Sequence, residues 1–406
     1  MKTNTYKLKD ISLNICDGVH NTVIDDENGD CLLLSAKNLQ QGKVVFDGTD
    51  RKINRELCNK LKKRTKLEKN DIAITTVGAN VGDIAIVGDG SENYEFQRSV
   101  GLIKPDKNIA DPTFLFFLLG TKSFNYYFHV IATGSAQPCL FLGTLNEIKV
   151  QIPSIHIQQK IANILSLYNE AIENNNKRIK LLEQMSQNLY KEWFVRFRFP
   201  GWQNAEFENG IPKGWKVEKL GKFCFVTDGT HDTPVQVEDG IPLVTGKAVR
   251  NGEIDFSVPY NISKEDHEKI KRRSAIKTGD ILFSNIGTVG NSCLVNYERD
   301  FSVKNMIILK PNKEYESQYL YQLIINDSTQ NLFQNQTNGS SQQFIGLDFM
   351  RKFKILIPKQ NIMEQFGKIE NSFSQEIILL RNKNKNLAKQ RDLLLPRLMS
   401  GKLEVR

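Results

Sequence analysis

Residues 154–197 read SIHIQQKIANILSLYNEAIENNNKRIKLLEQMSQNLYKEWFVRF. Ile161, Leu165, Tyr168, Ile172, Ile179, Leu182, Leu189 and Trp193 recur at steps of four and three, with Asn175 and Ser186 as polar breaks on the same stripe. That spacing predicts one long helix with a coiled-coil seam. Ser154, just after Pro153, stands where an N-cap is expected, and Pro200 with Gly201 closes the far end. At 1.5 Å per residue the rod would span roughly 60 Å, more than a globular domain needs internally. A helix of that length in mid-chain is expected to hold two other things apart.

Working outward, the flanks are two versions of one plan. Asp17-Gly18-Val19-His20-Asn21-Thr22 answers to Asp228-Gly229-Thr230-His231-Asp232-Thr233. Leu67-Glu68-Lys69-Asn70-Asp71-Ile72 answers to Ile276-Lys277-Thr278-Gly279-Asp280-Ile281, and Ile152-Pro153 to Ile357-Pro358. A repeat of this kind means two like modules, each followed by a long helix. The second helix is expected to follow Pro358 and to stop before Pro396. Its seam is Phe366, Phe373, Ile377, Leu380, Leu387 and Leu394, with Asn384 and Arg391 as polar breaks. Two helices of matched length and seam in one chain most simply pack on each other.

Between the helices each copy reads as short strands punctuated by Gly, Asn and Asp, for example at 31–34, 72–76, 83–87 and 100–103. A late helix is expected near 112–130 and again near 317–333. The fold class is therefore α+β with a mostly β core and a pseudo-two-fold internal repeat. The expected boundaries are 1–153 and 215–358 for the two modules, 154–200 and 359–400 for the helices, and 201–214 for a linker rich in Gly, Pro and Asn.

The 406 residues suffice for two or three domains. No apolar run approaches the 18 or so residues of a membrane span, and the first ten residues are polar, so a membrane protein or a secretory signal is not expected. The six cysteines, at 16, 31, 58, 139, 224 and 293, show no C-x-x-C spacing. They are expected to be buried thiols in a reducing cytoplasm rather than a zinc site or a disulfide framework. The net charge is +9. Lys+Arg minus Asp+Glu is 19 − 18 over residues 1–153, 7 − 4 over 154–200, 19 − 19 over 201–358 and 10 − 5 over 359–406. The surplus therefore lies on the two helical stretches, where it serves either a nucleic-acid or acidic partner or merely a solvated helix face.

Catalytic patterns are scarce. No two prolines are adjacent, which rules out an Asn- or Asp-Pro-Pro-aromatic methyltransferase motif, and Gly246-Lys247 lacks the upstream glycine of a phosphate-binding loop. A nuclease reading of Asp106, Glu147 and Lys149 is weak, because Lys352 stands in copy two where Glu147 stands in copy one. His20 and His231 have no clustered partners for a metal, and no metal ligands are assigned. They belong either to a turn in which Asp caps the backbone and Gly takes positive φ, or to a surface facing nucleic acid. The Gly-Ser-Gln loops at 134–137 and 339–343 recur at the same place in both copies. Their Ser135, Gln137, Ser340, Gln342 and Gln343 are small or amide side chains able to approach a phosphate or a base edge. The Gly-rich stretches beside Asn80 and Asn285 form either tight hairpins or amide nests facing phosphates. Lys37, Asn38 and Arg98 in copy one become Lys247, Arg250, Lys304 and Asn305 in copy two. One frame carrying different polar side chains is what two modules reading different base sequences would look like.

The opening Ile211-Pro212-Lys213-Gly214-Trp215-Lys216-Val217-Glu218-Lys219-Leu220-Gly221, the Asp-Gly-Thr-His turn, and the helix ends Leu189-Tyr190-Lys191-Glu192-Trp193-Phe194-Val195 and Leu395-Pro396-Arg397-Leu398-Met399-Ser400-Gly401 carry a resemblance across the whole chain. It resembles the specificity subunit of a type I restriction–modification system. The resemblance implies a non-catalytic subunit with two target recognition domains, separated by two antiparallel helices, each domain reading half of an asymmetric bipartite site on double-stranded DNA. It further implies docking of two methyltransferase subunits and of restriction subunits in the cytoplasm. No cofactor is expected on this chain, and S-adenosylmethionine, ATP and magnesium belong to those partners. Copy one lacks the Ile-Pro-x-Gly-Trp opening, so its first domain is expected to be completed in part by the other end of the chain. A related two-component restriction enzyme and a coiled-coil protein scaffold are the competing readings.

Overall fold

The computed structural model describes residues 2–134, 137–337 and 344–405. The chain forms two compact units, one of Met1–Asn175 with Asn382–Arg406 and one of Asn176–Arg381. Both dividing points fall inside the long helices, Ile155–Tyr190 and Gln360–Met399. Each unit thus owns one copy of the repeat and one half of each helix.

In the first unit, strand Val100–Pro105 lies between Ser12–Asp17 and Ile72–Thr75, antiparallel to both. Ile72–Thr75 then pairs with Ile84–Ile86, which continues in parallel into Gly42–Val44. All four residues of Ile72–Thr75 are buried, which is why its Ile72-Ala73-Ile74 shows no apolar–polar alternation. A smaller sheet sets Cys31–Leu34 antiparallel to Arg51–Ile53 and parallel to Tyr94–Phe96. The second unit repeats this plan. Met306–Lys310 lies between Phe225–Asp228 and Ile281–Ser284, while Ile241–Val244 pairs with Tyr260–Ile262 and in parallel with Ser302–Val303. The strand that opens each repeat pairs with the strand that leads into its long helix, Asn4–Lys7 with Lys149–Ile152 and Lys216–Lys219 with Lys354–Ile357.

The repeat also carries a buried ion pair. Lys104 Nζ lies 2.6 Å from Asp71 Oδ2, both side chains being almost wholly buried, and Lys310 pairs with Asp280 at the equivalent place. Each carboxylate also accepts a backbone N–H three residues upstream, from Glu68 at 2.9 Å and from Lys277 at 2.8 Å. The paired motifs around Asp71 and Asp280 are therefore loop closures that tie the turn before one strand to the lysine of its neighbour.

Within each unit the two half-helices run antiparallel. In the first, Asn175 Nδ2 donates to Asn384 Oδ1 at 2.8 Å and Arg391 Nη1 to Asn169 Oδ1 at 2.6 Å. In the second, Ile179, Ile377 and Leu380 pack together with Leu182 beside them, and Ser186 Oγ donates to Glu370 Oε2 at 2.6 Å. The polar breaks of the seam thus meet polar partners, an arrangement that fixes register at some cost in stability. Ile161 and Leu165 join the core of the first unit and Phe366 that of the second, whereas Tyr168, Ile172, Leu189, Phe373, Leu387 and Leu394 are half-buried.

Glu370 also accepts from Gln322 Nε2 at 2.9 Å. Burial pushes its carboxyl above the ordinary range, against the pull of the Ser186 and Gln322 hydrogen bonds. A carboxyl whose folded value is raised contributes stability that is present below its unfolded value and lost as pH rises towards the folded one. Glu370→Gln keeps the Gln322 hydrogen bond at its carbonyl, reverses the other so that its amide donates to Ser186 Oγ, and removes that loss. Its stability relative to wild type, read from urea midpoints, should therefore improve steadily as pH rises through the carboxylate range. A gap that widens against the variant on raising the pH would contradict this.

Several expectations are corrected. The central helix is α-helical to Tyr190 and then turns through a π segment, Lys191–Val195. The wider turn leaves the adjacent Trp193 and Phe194 both buried in the second core, with Phe194 4.9 Å from the ring of Phe366 and 4.8 Å from that of Tyr319. The C-terminal helix does not stop before Pro396 but carries it inside and ends at Met399. An internal proline costs about 3 kcal/mol. Here it falls in the last turn, where Leu394, Leu395, Leu398 and Met399 pack on the first core. That contact is also the expected contribution of the chain's other end to the first unit. The late helices are each broken in two, Pro112–Leu119 with Lys122–Ile131 and Glu314–Ile325 with Asp327–Thr337. Thr121 caps the restart in the first, accepting from Phe124 N. Finally, the cysteines are not all thiols. Cys31 on a strand and Cys58 on helix Arg55–Thr65, both fully buried, form a disulfide across 27 residues. Cys16, Cys139, Cys224 and Cys293 are free. Among the described residues, no helix is long and apolar enough to cross a membrane.

Candidate nucleic-acid interface

Strand Ser12–Asp17 ends in Asp17-Gly18-Val19-His20. Gly18 is required by crowding and not, as the turn reading supposed, by positive φ: a Cβ there would lie 2.1 Å from the carbonyl oxygen of Phe96. Gly229 is in the same position, 2.1 Å from the carbonyl oxygen of Val303. The close approach lets Val19 bridge in parallel to Gln97, and Thr230 to Lys304. It also fixes the backbone of the next residues, with Arg98 N donating to Val19 O and Asn305 N to Thr230 O.

Nor does the aspartate cap the turn. Asp17 Oδ2 lies 2.5 Å from His20 Nε2, and Asp17 Oδ1 accepts from Arg64 Nη2 at 2.5 Å. In the second unit Asp228 Oδ2 lies 2.8 Å from His231 Nε2, and Asp228 Oδ1 accepts from Arg273. The carboxylates are 13% and 6% exposed, whereas the histidines and arginines are about half exposed. Each arginine is the penultimate residue of a helix, Arg55–Thr65 or Lys264–Ser274, capped at its start by Asn54 or Ser263. The sequence reading missed Arg64 and Arg273. Their only signal was a basic triplet, Lys62-Lys63-Arg64 and Lys271-Arg272-Arg273, standing at the same place in both copies.

In the first unit the cluster opens on a cleft of about 590 Å³ whose walls include Asp17, His20, Thr76, Arg98, Gln137 and Phe141. Three of the proposed contact residues, His20, Arg98 and Gln137, therefore meet. In the second unit His231 and Asn305 meet, with Nδ1 3.1 Å from Oδ1, and Lys304 Nζ donates to Thr233 Oγ1 at 2.5 Å.

The other proposed residues lie apart from these clusters. Asn38, 1% exposed, spends its amide on Val45 O and Asp50 Oδ1. Asn285, 3% exposed, donates its side-chain amide to Ile345 O and accepts the Ile345 N–H at its backbone carbonyl. Both are structural side chains beyond the reach of an outside ligand. Lys37 is held by Asp47, Thr49 and Asp50, and its ammonium is raised chiefly by the Asp50 hydrogen bond. Lys37 and Asn80 instead line a second cavity of about 600 Å³. Lys247 and Arg250 are exposed on the turn and strand after Val244. Ser135, Ser340, Gln342 and Gln343 lie outside the described residues.

A larger groove of about 1980 Å³ in the first unit gathers Lys122, Lys149, Lys385, Lys389, Arg391, Arg397 and Lys402 against Asp392. Much of the positive surplus of the C-terminal helix faces it.

A model of the type I restriction modification DNA specificity domain matches residues 2–184 and again 212–390. The chain belongs to the type I restriction–modification specificity family. It is 26% identical over 414 residues to the type I restriction enzyme MjaIX specificity subunit of Methanocaldococcus jannaschii, covering 98% of this chain and 93% of that one. It is 23% identical over 404 residues to the HindI specificity subunit of Haemophilus influenzae, covering 83% and 87%. Among solved structures, the S subunit of a type I restriction–modification system from M. genitalium shares the fold, with a TM-score of 0.56 at 15% identity over 98% of this chain and 96% of that one. The double match of the family model fits the two repeats, and the clusters at Asp17 and Asp228 lie one in each match.

Proposed function

We propose that this specificity-family chain reads an asymmetric bipartite site on double-stranded DNA, each unit taking one half-site. It performs no chemistry of its own. The observation that carries the reading is one backbone frame with two sets of side chains: the same Asp-Gly-x-His turn and helix-borne arginine stand in both units, while Gln97-Arg98 in one is Lys304-Asn305 in the other. Amides and cations on a shared frame suit two different base sequences.

Under this reading the paired helices carry two methyltransferase subunits, and restriction subunits join that core. A chain with two like halves can offer equivalent docking surfaces to two identical partners. S-adenosylmethionine, ATP and magnesium are held by those partners. The domain boundaries at 153, 200, 214 and 358 mark where reading gives way to docking. The test is methylome sequencing of a host expressing this chain with its methyltransferase subunit. The expected result is one methylated motif with two unlike half-sites and a fixed unspecified spacer. Methylation of a single undivided motif, or none with the partner active, would sink the reading in favour of a protein-binding scaffold.

A further inference from the structure

The internal repeat offers a comparison that needs no second protein. DNA presents both units with the same sugar–phosphate backbone but with different bases. Side chains that are the same in both units should therefore face what is common to any duplex, and those that differ should face what is not. From this we infer that Arg64 and Arg273 are a pair of phosphate clamps, each held from behind, together with the neighbouring His20 or His231, by a largely buried aspartate. Arg98 in one unit and Asn305 in the other are the neighbouring base-reading side chains. The inference rests on the proposed reading of the units as DNA-binding modules, and assigns the division of labour within each.

Four features of the site support it. The carboxylates of Asp17 and Asp228 are almost buried and point outward only through the groups they hold, so their part is to orient. A guanidinium has five N–H donors. Asp17 takes one from Arg64 and the Gly18 carbonyl a long second at 3.4 Å, and the side chain is still half exposed. The remaining donors stand in the fixed fork that suits a phosphate. A second exposed cation, Lys63 or Arg272, precedes each clamp arginine on its helix, so the aspartate does not cancel the local positive charge. Lastly, the crowding at Gly18 and Gly229 locks the histidine turn against the strand end that carries Arg98 or Asn305. A phosphate grip thereby sets the position of a base-reading side chain a few residues away.

The full chain with its methyltransferase subunit would be titrated with a duplex bearing the methylome-defined site, from about 50 to 200 mM salt. Neutralising one phosphate contributes about 0.9 to the slope of log affinity against log salt. Arg64→Gln and Arg273→Gln should each weaken binding and lower that slope by about 0.9, with the methylated motif unchanged. Arg64→Lys and Arg273→Lys keep the charge, and should keep the slope while weakening the grip. Arg98→Ala and Asn305→Ala should instead relax one position in one half-site, each in a different half.

An unchanged slope in both glutamine variants, with wild type binding normally, overturns the clamp and leaves the reading of the units intact. So does a glutamine variant that alters the methylated motif, which would make the arginine a base reader. Loss of the methyltransferase subunit on gel filtration of a glutamine variant would place the cluster at a protein interface and also overturn it. No duplex binding by the wild-type complex at any salt would overturn the underlying reading itself. A glutamine variant that fails to fold is replaced by Arg64→Met or Arg273→Met, which keeps the apolar stem without the charge, and an unchanged slope there would refute the clamp just as directly.

Discussion

Lys104→Met should destabilise the first unit by about 3–5 kcal/mol at pH 7, and Lys310→Met the second by a similar amount. The lysine in each case is the partner of a buried carboxylate, Asp71 or Asp280. Burial already pushes both carboxyls above the ordinary range, with the lysine opposing it. Methionine matches the lysine stem but leaves the charge uncompensated, so the folded value climbs further. The sign of the pH dependence follows. A group with a raised folded value stabilises fully below its unfolded value, near 4, and loses that contribution as pH rises. The deficit of each variant should thus be largest at neutral pH and shrink on acidification, because a protonated Asp71 or Asp280 needs no cation. Urea unfolding at pH 7 and pH 5 reads both effects. A deficit that stays the same on acidification would show that the lysines act by packing alone. The double substitution Asp71→Asn with Lys104→Met should recover much of the loss at pH 7, since the uncompensated charge is its cause.

The long helices and the duplication were legible because each is written in local spacing. A seam such as Ile161, Leu165, Ile179 and Ile377, Leu380 needs only a periodicity of three and four, and Asp17-Gly18 needs only to be set beside Asp228-Gly229. The sequence signal failed where meaning depends on contacts across the fold. Arg64 meets Asp17 across 47 residues, and as part of a basic triplet it reads as a solvated helix end. Cys31 and Cys58 sit on a strand and a helix that close one small core with Ile53 and Val23, a pairing no spacing rule encodes. Asn38 and Asn285 have the composition of base readers, and only their burial shows them to be loop fasteners. Pro396 misled for a different reason. Helix propensity argues for a break there, and the packing of Leu394, Leu395 and Leu398 on the first core prevails in the last turn.

On the reading proposed above, inserting one heptad into each long helix at a matched level, after Asn175 and after Arg381, should lengthen the unspecified spacer of the site while both half-sites stay as they are. Seven residues restore the seam of both helices, so the polar partners Asn175–Asn384 and Ser186–Glu370 keep their register within their own units. The insertion adds about 10.5 Å of helix. At about 3.4 Å per base pair this lengthens the unspecified spacer by about three base pairs. Both half-sites should be retained, because every side chain of the two clusters belongs to a single unit that the insertion leaves untouched. The added spacer also carries about a third of a turn of DNA twist, which the helices do not follow. Modification should accordingly be slower than in wild type even at the new site. Methylome sequencing reads motif and spacer together, and the parental motif should disappear from it. Retention of the parental spacer would show that the helices do not set the distance. Altered half-sites with a lengthened spacer would show instead that reading and measuring are not separable, and that the helices contribute to base recognition directly.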